Sequence, residues 1–217
     1  MIMQDRLEAG RALARRLAGC TDLGAGELPP VLLALPRGGV PVALPIAQQL
    51  GVPLRLLLVR KLGAPSQPEL ALGAVVEGDP PQLVLNEEIM SALQVPADVI
   101  ESLRAGELAE IERRRARFGA AAPPPLAGRM VILVDDGVAT GATAEAALRA
   151  ARQAGAARIV LAVPVIASAV AARFRKDGTE VVALEEPAAL RSVGAFYRDF
   201  HQLEDAEVSA LLGMSPT

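Results

Sequence analysis

From Met130 to Leu184 the chain repeats a short apolar run followed by a stretch of helical spacing. Apolar runs at 130–134, 158–163 and 179–184 alternate with helical patterns at 142–154 and 167–176. Strands separated by whole helices cannot be joined as hairpins. The crossover helix makes neighbouring strands parallel, and helices on both faces leave the strands continuously apolar. The pattern therefore predicts an α/β fold with a doubly wound parallel sheet. The same grammar appears upstream, where Val31–Leu35 is apolar, Pro36-Arg37-Gly38-Gly39 turns the chain, and Val40–Leu50 is helical. Leu54–Val59 then predicts another buried strand. Arg60 and Lys61 follow it, and Leu62–Glu69 has the Gly, Pro and Ser content of a loop. Leu70–Val76 and Gln82–Leu85 read as a hairpin across Glu77-Gly78-Asp79-Pro80. Leu7–Ala18, ending at Gly19, reads as a peripheral first helix.

Between the two alternating regions the period changes. From Asp98 to Phe118 the residues Ile100, Leu103, Leu108, Ile111 and Phe118 share one broad helical face, with Asp98 following Pro96 as a candidate cap, and Ala121–Pro125 break the pattern. Arg113, Arg114, Arg115 and Arg117 point in several directions at helical spacing and, beside Glu110 and Glu112, read as a solvated face rather than a dimer contact or an RNA-binding surface. The expected organisation is one domain over 1–217, with a helical insertion at 86–122 and a C-terminal hood at 187–217, since 217 residues hold one generous core.

Composition narrows the function classes. No run approaches the roughly 18 apolar residues that span a bilayer, so the 52% apolar content belongs to a core and no membrane role is expected. A net charge of -3 and a pI near 5.4 supply no whole-chain field for nucleic acid. One cysteine, Cys20, cannot form an internal disulfide and reads as inert. With no secretion signal, a cytoplasmic location is expected.

The chemistry is concentrated in Val131-Ile132-Leu133-Val134-Asp135-Asp136-Gly137-Val138-Ala139-Thr140-Gly141-Ala142-Thr143. An apolar strand delivers two carboxylates to its C-terminal end, and a turn of small residues opens a helix. Ligands of open α/β sheets bind outside the carboxyl ends of strands, and a helix N-terminus offers unpaired N–H groups to phosphate. Gly141 permits close backbone approach, and Thr140 and Thr143 can donate hydroxyl hydrogen bonds. Asp135 and Asp136 suit vicinal hydroxyls or a hard cation. This is the outline of a polyol-phosphate site.

These thirteen residues closely resemble the 5-phosphoribosyl-1-pyrophosphate (PRPP) motif of type I phosphoribosyltransferases, and Leu35-Pro36-Arg37-Gly38-Gly39 is similar to the family's pyrophosphate loop. The resemblance implies transfer of the phosphoribosyl group from PRPP to a nitrogenous base, with pyrophosphate released and Mg2+ as cofactor. It implies that Asp135 and Asp136 hold ribose and metal, that Ala139, Thr140, Gly141, Ala142 and Thr143 bind the 5-phosphate, and that Arg37, Gly38 and Gly39 bind pyrophosphate. Lys61 takes the place of a second basic residue beside the leaving group, and Leu62–Glu69 that of a mobile catalytic loop. Hypoxanthine and guanine members carry Asp where this chain has Ala139, so a base proton must be handled elsewhere or be absent. Phe196 or Tyr197 in the hood is placed either to stack on an acceptor base or to staple the tail to the core, and the lone His201 reads as incidental. A homodimer is the family's expectation. The rival readings are a PRPP-binding regulatory protein without transferase activity and, last, a metal-assisted phosphate-ester hydrolase.

Overall fold

The computed structural model describes residues 2–20, 28–65 and 67–215. In chain order its elements are α1 (Arg6–Cys20), β1 (Val31–Ala34), α2 (Gly39–Leu50), β2 (Leu54–Leu56), β3 (Val59–Ala64), β4 (Gln67–Val76), β5 (Gln82–Leu85), α3 (Glu87–Leu93), α4 (Ala97–Phe118), β6 (Met130–Val134), α5 (Ala142–Gln153), β7 (Arg158–Val165), α6 (Ser168–Lys176), β8 (Glu180–Glu185), a 3₁₀ turn at Val193–Phe196, and α7 (Asp205–Gly213).

Five strands make a parallel sheet in the order β2-β1-β6-β7-β8. Alternation along each strand divides its side chains between two cores. Leu32 and Ala34 of β1, Ile132 and Val134 of β6, and Val160 and Ala162 of β7 pack with Leu13, Leu17, Val42 and Ile46 of α1 and α2. The intervening Val31, Leu33, Val131, Leu133, Leu161 and Val163 pack with Ala147, Leu148 and Ala151 of α5 and Phe174 of α6. Burying one such Leu or Val contributes roughly 1.5–3 kcal/mol. The doubly wound sheet expected from the repeated pattern is therefore present. Its strand order reverses between β1 and β6, which opens the crevice where ligands of such sheets bind.

The expected hairpin of β4 and β5 is present, turning through a cis Asp79-Pro80 bond. It gains a third strand. The run expected as a single strand at 54–59 ends at Leu56, and β3 begins at Val59 and pairs antiparallel with β4. The segment read as a loop at 62–69 is mostly the two arms of this hairpin. Leu62 and Ala64 alternate inward and are fully buried, while register shifts on either side of Gly63 absorb the residue that hid the alternation. Within that segment Ser66, and the side chains of Pro68 and Glu69, lie outside the described residues.

Two helical readings also change. α1 is not peripheral: Ala9, Leu13, Ala14 and Leu17 are buried, and the helix packs on α2, β7 and β8. Cys20 closes α1, and its side chain lies outside those described. Between β5 and β6, Asn86 caps the short α3 by accepting from the Ile89 N–H at 3.3 Å. The N-cap of α4 is Pro96, without a side-chain bond, and Asp98 sits in its first turn. α4 buries Ile100, Ile111 and Phe118 and lies against β3, β4 and α7. Its arginines are not a uniformly solvated face. Arg115 pairs with the buried Glu77, whose other oxygen accepts from the Leu58 N–H at 3.1 Å, while Arg113 and Arg114 engage Glu110 and Arg117 reaches Asp205. Burial pushes Glu77 above the ordinary carboxylate value, and Arg115 with the Leu58 N–H opposes that rise.

Candidate functional site

β1 and β6 are adjacent and in register from Val31↔Val131 to Ala34↔Val134, so the turns that leave their carboxyl ends emerge side by side. The Leu35 N–H donates to the Val134 carbonyl at 2.9 Å, which carries the pairing one residue further. The turn Pro36–Gly39 then runs over the acidic pair. A Cβ on Gly38 would lie 2.0 Å from Asp136 Oδ2, and one on Gly39 would lie 2.5 Å from the Val134 carbonyl oxygen. Two glycines are required by proximity, and in this way the structure brings Gly38 and Gly39 onto Asp135 and Asp136.

The carboxylates are tightly held. Asp135 Oδ1 accepts from the Asp136 N–H at 2.9 Å, and Asp136 Oδ2 accepts from Arg6 Nε at 2.8 Å. Arg6 also donates from Nη1 to the His201 carbonyl at 3.0 Å, and its guanidinium lies 3.8 Å over the Phe200 ring. Phe200 stacks on Tyr197 with centroids 4.9 Å apart, and the Tyr197 hydroxyl donates to the Asp136 carbonyl at 2.6 Å. Tyr197 is 6% exposed and pairs with Met3 in a short parallel bridge. It is therefore a staple between the two ends of the chain, and the base-stacking alternative for Tyr197 is set aside. Phe196 packs in the same small cluster. Exposed His201 is held between Asp199 and Glu207, each at 3.1 Å, which raises its pKa.

Burial raises the pKa of Asp135 well above the usual carboxylate range, and the Asp136 charge adds to it. Burial raises Asp136 as well, against the opposing pull of Arg6. Burial and the neighbouring Asp136 charge push the Tyr197 hydroxyl upward. Both aspartates thus bind protons more tightly folded than unfolded, so the slope of stability with pH is negative across that window. Their penalty is absent below the ordinary value near pH 4 and grows as pH rises through the raised values. In metal-free melts between about pH 4 and about pH 8, Asp135→Asn should gain on the wild type as pH rises. The gain is about 1.4 kcal/mol for each tenfold change in proton affinity, at about 2–4 °C per kcal/mol. A pH-independent difference would mean that the pair titrates normally.

Beyond the acids, Val138 bridges to Ile166 and the chain enters α5 through Gly141, whose φ of 86° is left-handed. Thr140, Ala142 and Thr143 are exposed at this entry, whereas Ala139 is half-buried. The first N–H groups of a helix have no partner within it, and Ala142 and Thr143 line a cleft of about 760 Å³ between α5 and the three-stranded sheet. Lys61 lines the same cleft from β3, together with Arg149 and Arg173. Arg173 Nη2 contacts the Thr140 carbonyl at 3.5 Å and Glu145 at 3.1 Å. Arg60 turns to the opposite side of the strand and pairs with Glu107 at 2.7 Å.

Arg37 is placed differently from its glycines. Its guanidinium donates from Nη1 to the Leu203 carbonyl at 2.7 Å and pairs through Nε with Asp205 at 2.9 Å, so it faces the C-terminal segment. Sequence reasoning missed Arg6, Leu203 and Asp205 altogether. Arg6 lies 130 residues from its partner, and nothing in its neighbourhood marks it as more than a residue of the first helical turn. Among the described residues no group of three or more His, Cys, Asp or Glu side chains is gathered to hold a metal. Two carboxylates alone suit a hard cation that keeps water and shares phosphate oxygens with a substrate, as magnesium does.

The phosphoribosyl transferase domain matches the chain over residues 3–195. The chain belongs to that family. A Mycobacterium tuberculosis protein of strain H37Rv, provisionally named a phosphoribosyl transferase, is 45% identical over 212 residues, which is 97% of this chain and 46% of that protein. This phosphoribosyl transferase domain therefore spans about half the length of its mycobacterial relative. The crystal structure of TT1426 from Thermus thermophilus is similar over 98% of both chains, at 43% identity and a TM-score of 0.81. AQ2163 from Aquifex aeolicus has the same fold at 14% identity and a TM-score of 0.51, over 87% of this chain and 78% of its own. No helix among the described residues is long and apolar enough to cross a membrane.

Proposed function

We propose that this phosphoribosyl transferase moves the 5-phosphoribosyl group of PRPP to a nitrogenous base or related acceptor and releases pyrophosphate. The observation that carries the reading is the contact of the Gly38–Gly39 turn with Asp135 and Asp136 at the switch point between β1 and β6. Asp135 and Asp136 receive the ribose hydroxyls. The N–H groups opening α5, with Thr140 and Thr143, receive the 5-phosphate. The backbone of Gly38 and Gly39 approaches the diphosphate, and Lys61 in the adjoining cleft supplies positive charge as it departs.

An acceptor nitrogen forms the bond to the anomeric carbon with its lone pair, while the electron pair of the carbon–oxygen bond leaves with pyrophosphate. Positive charge develops on the ribose, and two carboxylates beneath it lower that cost. Magnesium, held through Asp135 and Asp136 together with substrate oxygens, would neutralise the diphosphate. The protein's contribution is chiefly positioning. Ala139 offers no acid to the acceptor, so an acceptor whose nitrogen is already deprotonated fits best.

Calorimetric titration of PRPP with magnesium into the wild type and into Asp135→Asn/Asp136→Asn tests this, followed by a base panel screened for pyrophosphate release. The expected result is magnesium-dependent binding that falls at least a hundredfold in the double variant, about 2.7 kcal/mol or more. Binding without turnover across the panel would favour the regulatory reading. A folded wild type that does not bind PRPP would remove the proposal.

A further inference from the structure

We propose that Arg37, Arg114 and Arg117 form a second anion site, separate from Asp135 and Asp136, that takes a free phosphate-type anion of diphosphate size and is filled internally by the carboxylate of Asp205. The site is a hollow of about 60 Å³ between the turn after β1, the last turns of α4 and the start of α7.

The charge balance points to an anion. Arg37, Arg113, Arg114 and Arg117 line the hollow against only Glu110 and Asp205. Glu110 is shared by Arg113 and Arg114, and Asp205 is shared by Arg37 at 2.9 Å and Arg117 at 2.7 Å. Four guanidiniums thus face two carboxylates. Arg60, paired with Glu107 at 2.7 Å, also acts electrostatically on Arg114. The crowding registers on Arg114, whose pKa is lowered first by burial and then by the charges of Arg60 and Arg37. Planar guanidiniums from different elements converging on one point are the usual means of holding phosphoryl oxygens.

Asp205 occupies the place such an anion would take. Its two oxygens bridge the two guanidiniums as two phosphoryl oxygens would, and it is the first residue of α7. The capping box of that helix is made by Glu204 and Glu207, so Asp205 is not needed to start the helix. An incoming anion would displace Asp205 and loosen the hold of α7 on α4 and on Arg37. The site therefore couples the C-terminal segment, which also covers Asp136 through Tyr197, to the anion concentration.

This inference does not depend on phosphoribosyl transfer. The test is calorimetric titration of inorganic pyrophosphate, in chelator and without magnesium, into the wild type, Asp205→Asn, Arg114→Gln/Arg117→Gln and Asp135→Asn/Asp136→Asn. Asp205→Asn should bind about tenfold more tightly and Arg114→Gln/Arg117→Gln about tenfold more weakly, the scale of one charge-assisted hydrogen bond. The aspartate double variant should match the wild type even if it has lost PRPP. Arg114 and Arg117 are surface side chains of a helix that keeps its buried face, so their variant should stay folded, as a melting curve will check. Unchanged pyrophosphate binding in Arg114→Gln/Arg117→Gln, or no tightening in Asp205→Asn, would overturn the site. It would equally be overturned if the arginine variant weakened magnesium–PRPP and left free pyrophosphate untouched, because the arginines would then belong to the substrate site.

Discussion

Alanine at Gly38 is expected to lower PRPP affinity about tenfold to hundredfold. The backbone does not forbid the change, since Gly38 has φ -60° and ψ -34°, open to every residue. The obstacle is the carboxylate of Asp136, whose Oδ2 and Cγ would stand 2.0 and 2.3 Å from the new Cβ. Asp136 has little freedom to yield. Arg6 holds that same oxygen at 2.8 Å, and the Tyr197 hydroxyl fixes the carbonyl of the same residue at 2.6 Å. Overpacking of this kind costs about 1–3 kcal/mol. It must be relieved by moving either the turn or the acid, and both belong to the proposed substrate site. Gly106→Ala is the control, because a Cβ there meets nothing within 4 Å; it lies in the interior of α4 and should be neutral or stabilising by up to about 1 kcal/mol. Calorimetry with PRPP and magnesium, paired with melting curves, separates the effects. Full affinity in Gly38→Ala would show that the turn does not bear on the substrate.

What the sequence made legible was local or periodic. β6 and its two aspartates could be read because strand, acids and helix entry are contiguous, and β1 with its glycines because the same unit recurs upstream. That the two turns meet follows from the parallel sheet, since strands on either side of a switch point deliver their ends to one crevice. The direction of the Arg37 side chain did not follow. It depends on Leu203 and Asp205, about 166 residues away, and a helix start carries no mark of which cation its first carboxylate will meet. β3 was partly hidden for another reason. Leu62 and Ala64 alternate correctly, but Gly63 between them and Pro65 after them resemble loop chemistry, and only pairing with β4 distinguishes a bulged hairpin from a loop. Tyr197 illustrates a third limit: a lone Tyr near two Phe residues reads equally as a stacking platform or a staple until its hydroxyl has a partner.

Replacing Arg6 by methionine should destabilise the fold by about 2–4 kcal/mol, which for a domain of this size is about 5–15 °C in melting temperature. Arg6 is 8% exposed, and it places its charge 2.8 Å from Asp136 Oδ2, next to the adjacent carboxylate of Asp135. Its removal leaves the half-buried Asp136 beside Asp135 without that partner and strips the cation from the face of Phe200, a contact itself worth about 0.5–2 kcal/mol. The cost should therefore fall on Asp136, and a second change there should recover part of it. In Arg6→Met/Asp136→Asn the unpaired charge is gone, and at least half of the lost stability is expected to return even though no contact has been rebuilt. Acidification should act in the same direction on the single variant, because a proton on Asp136 removes the charge that lost its partner. A double-mutant cycle of denaturant melts at neutral pH gives the coupling directly, with about 1–3 kcal/mol expected. Additivity within about 0.5 kcal/mol would mean that Arg6 serves through its packing alone, and the two ends of the chain would then be joined at the site by Tyr197 and Met3 rather than by charge.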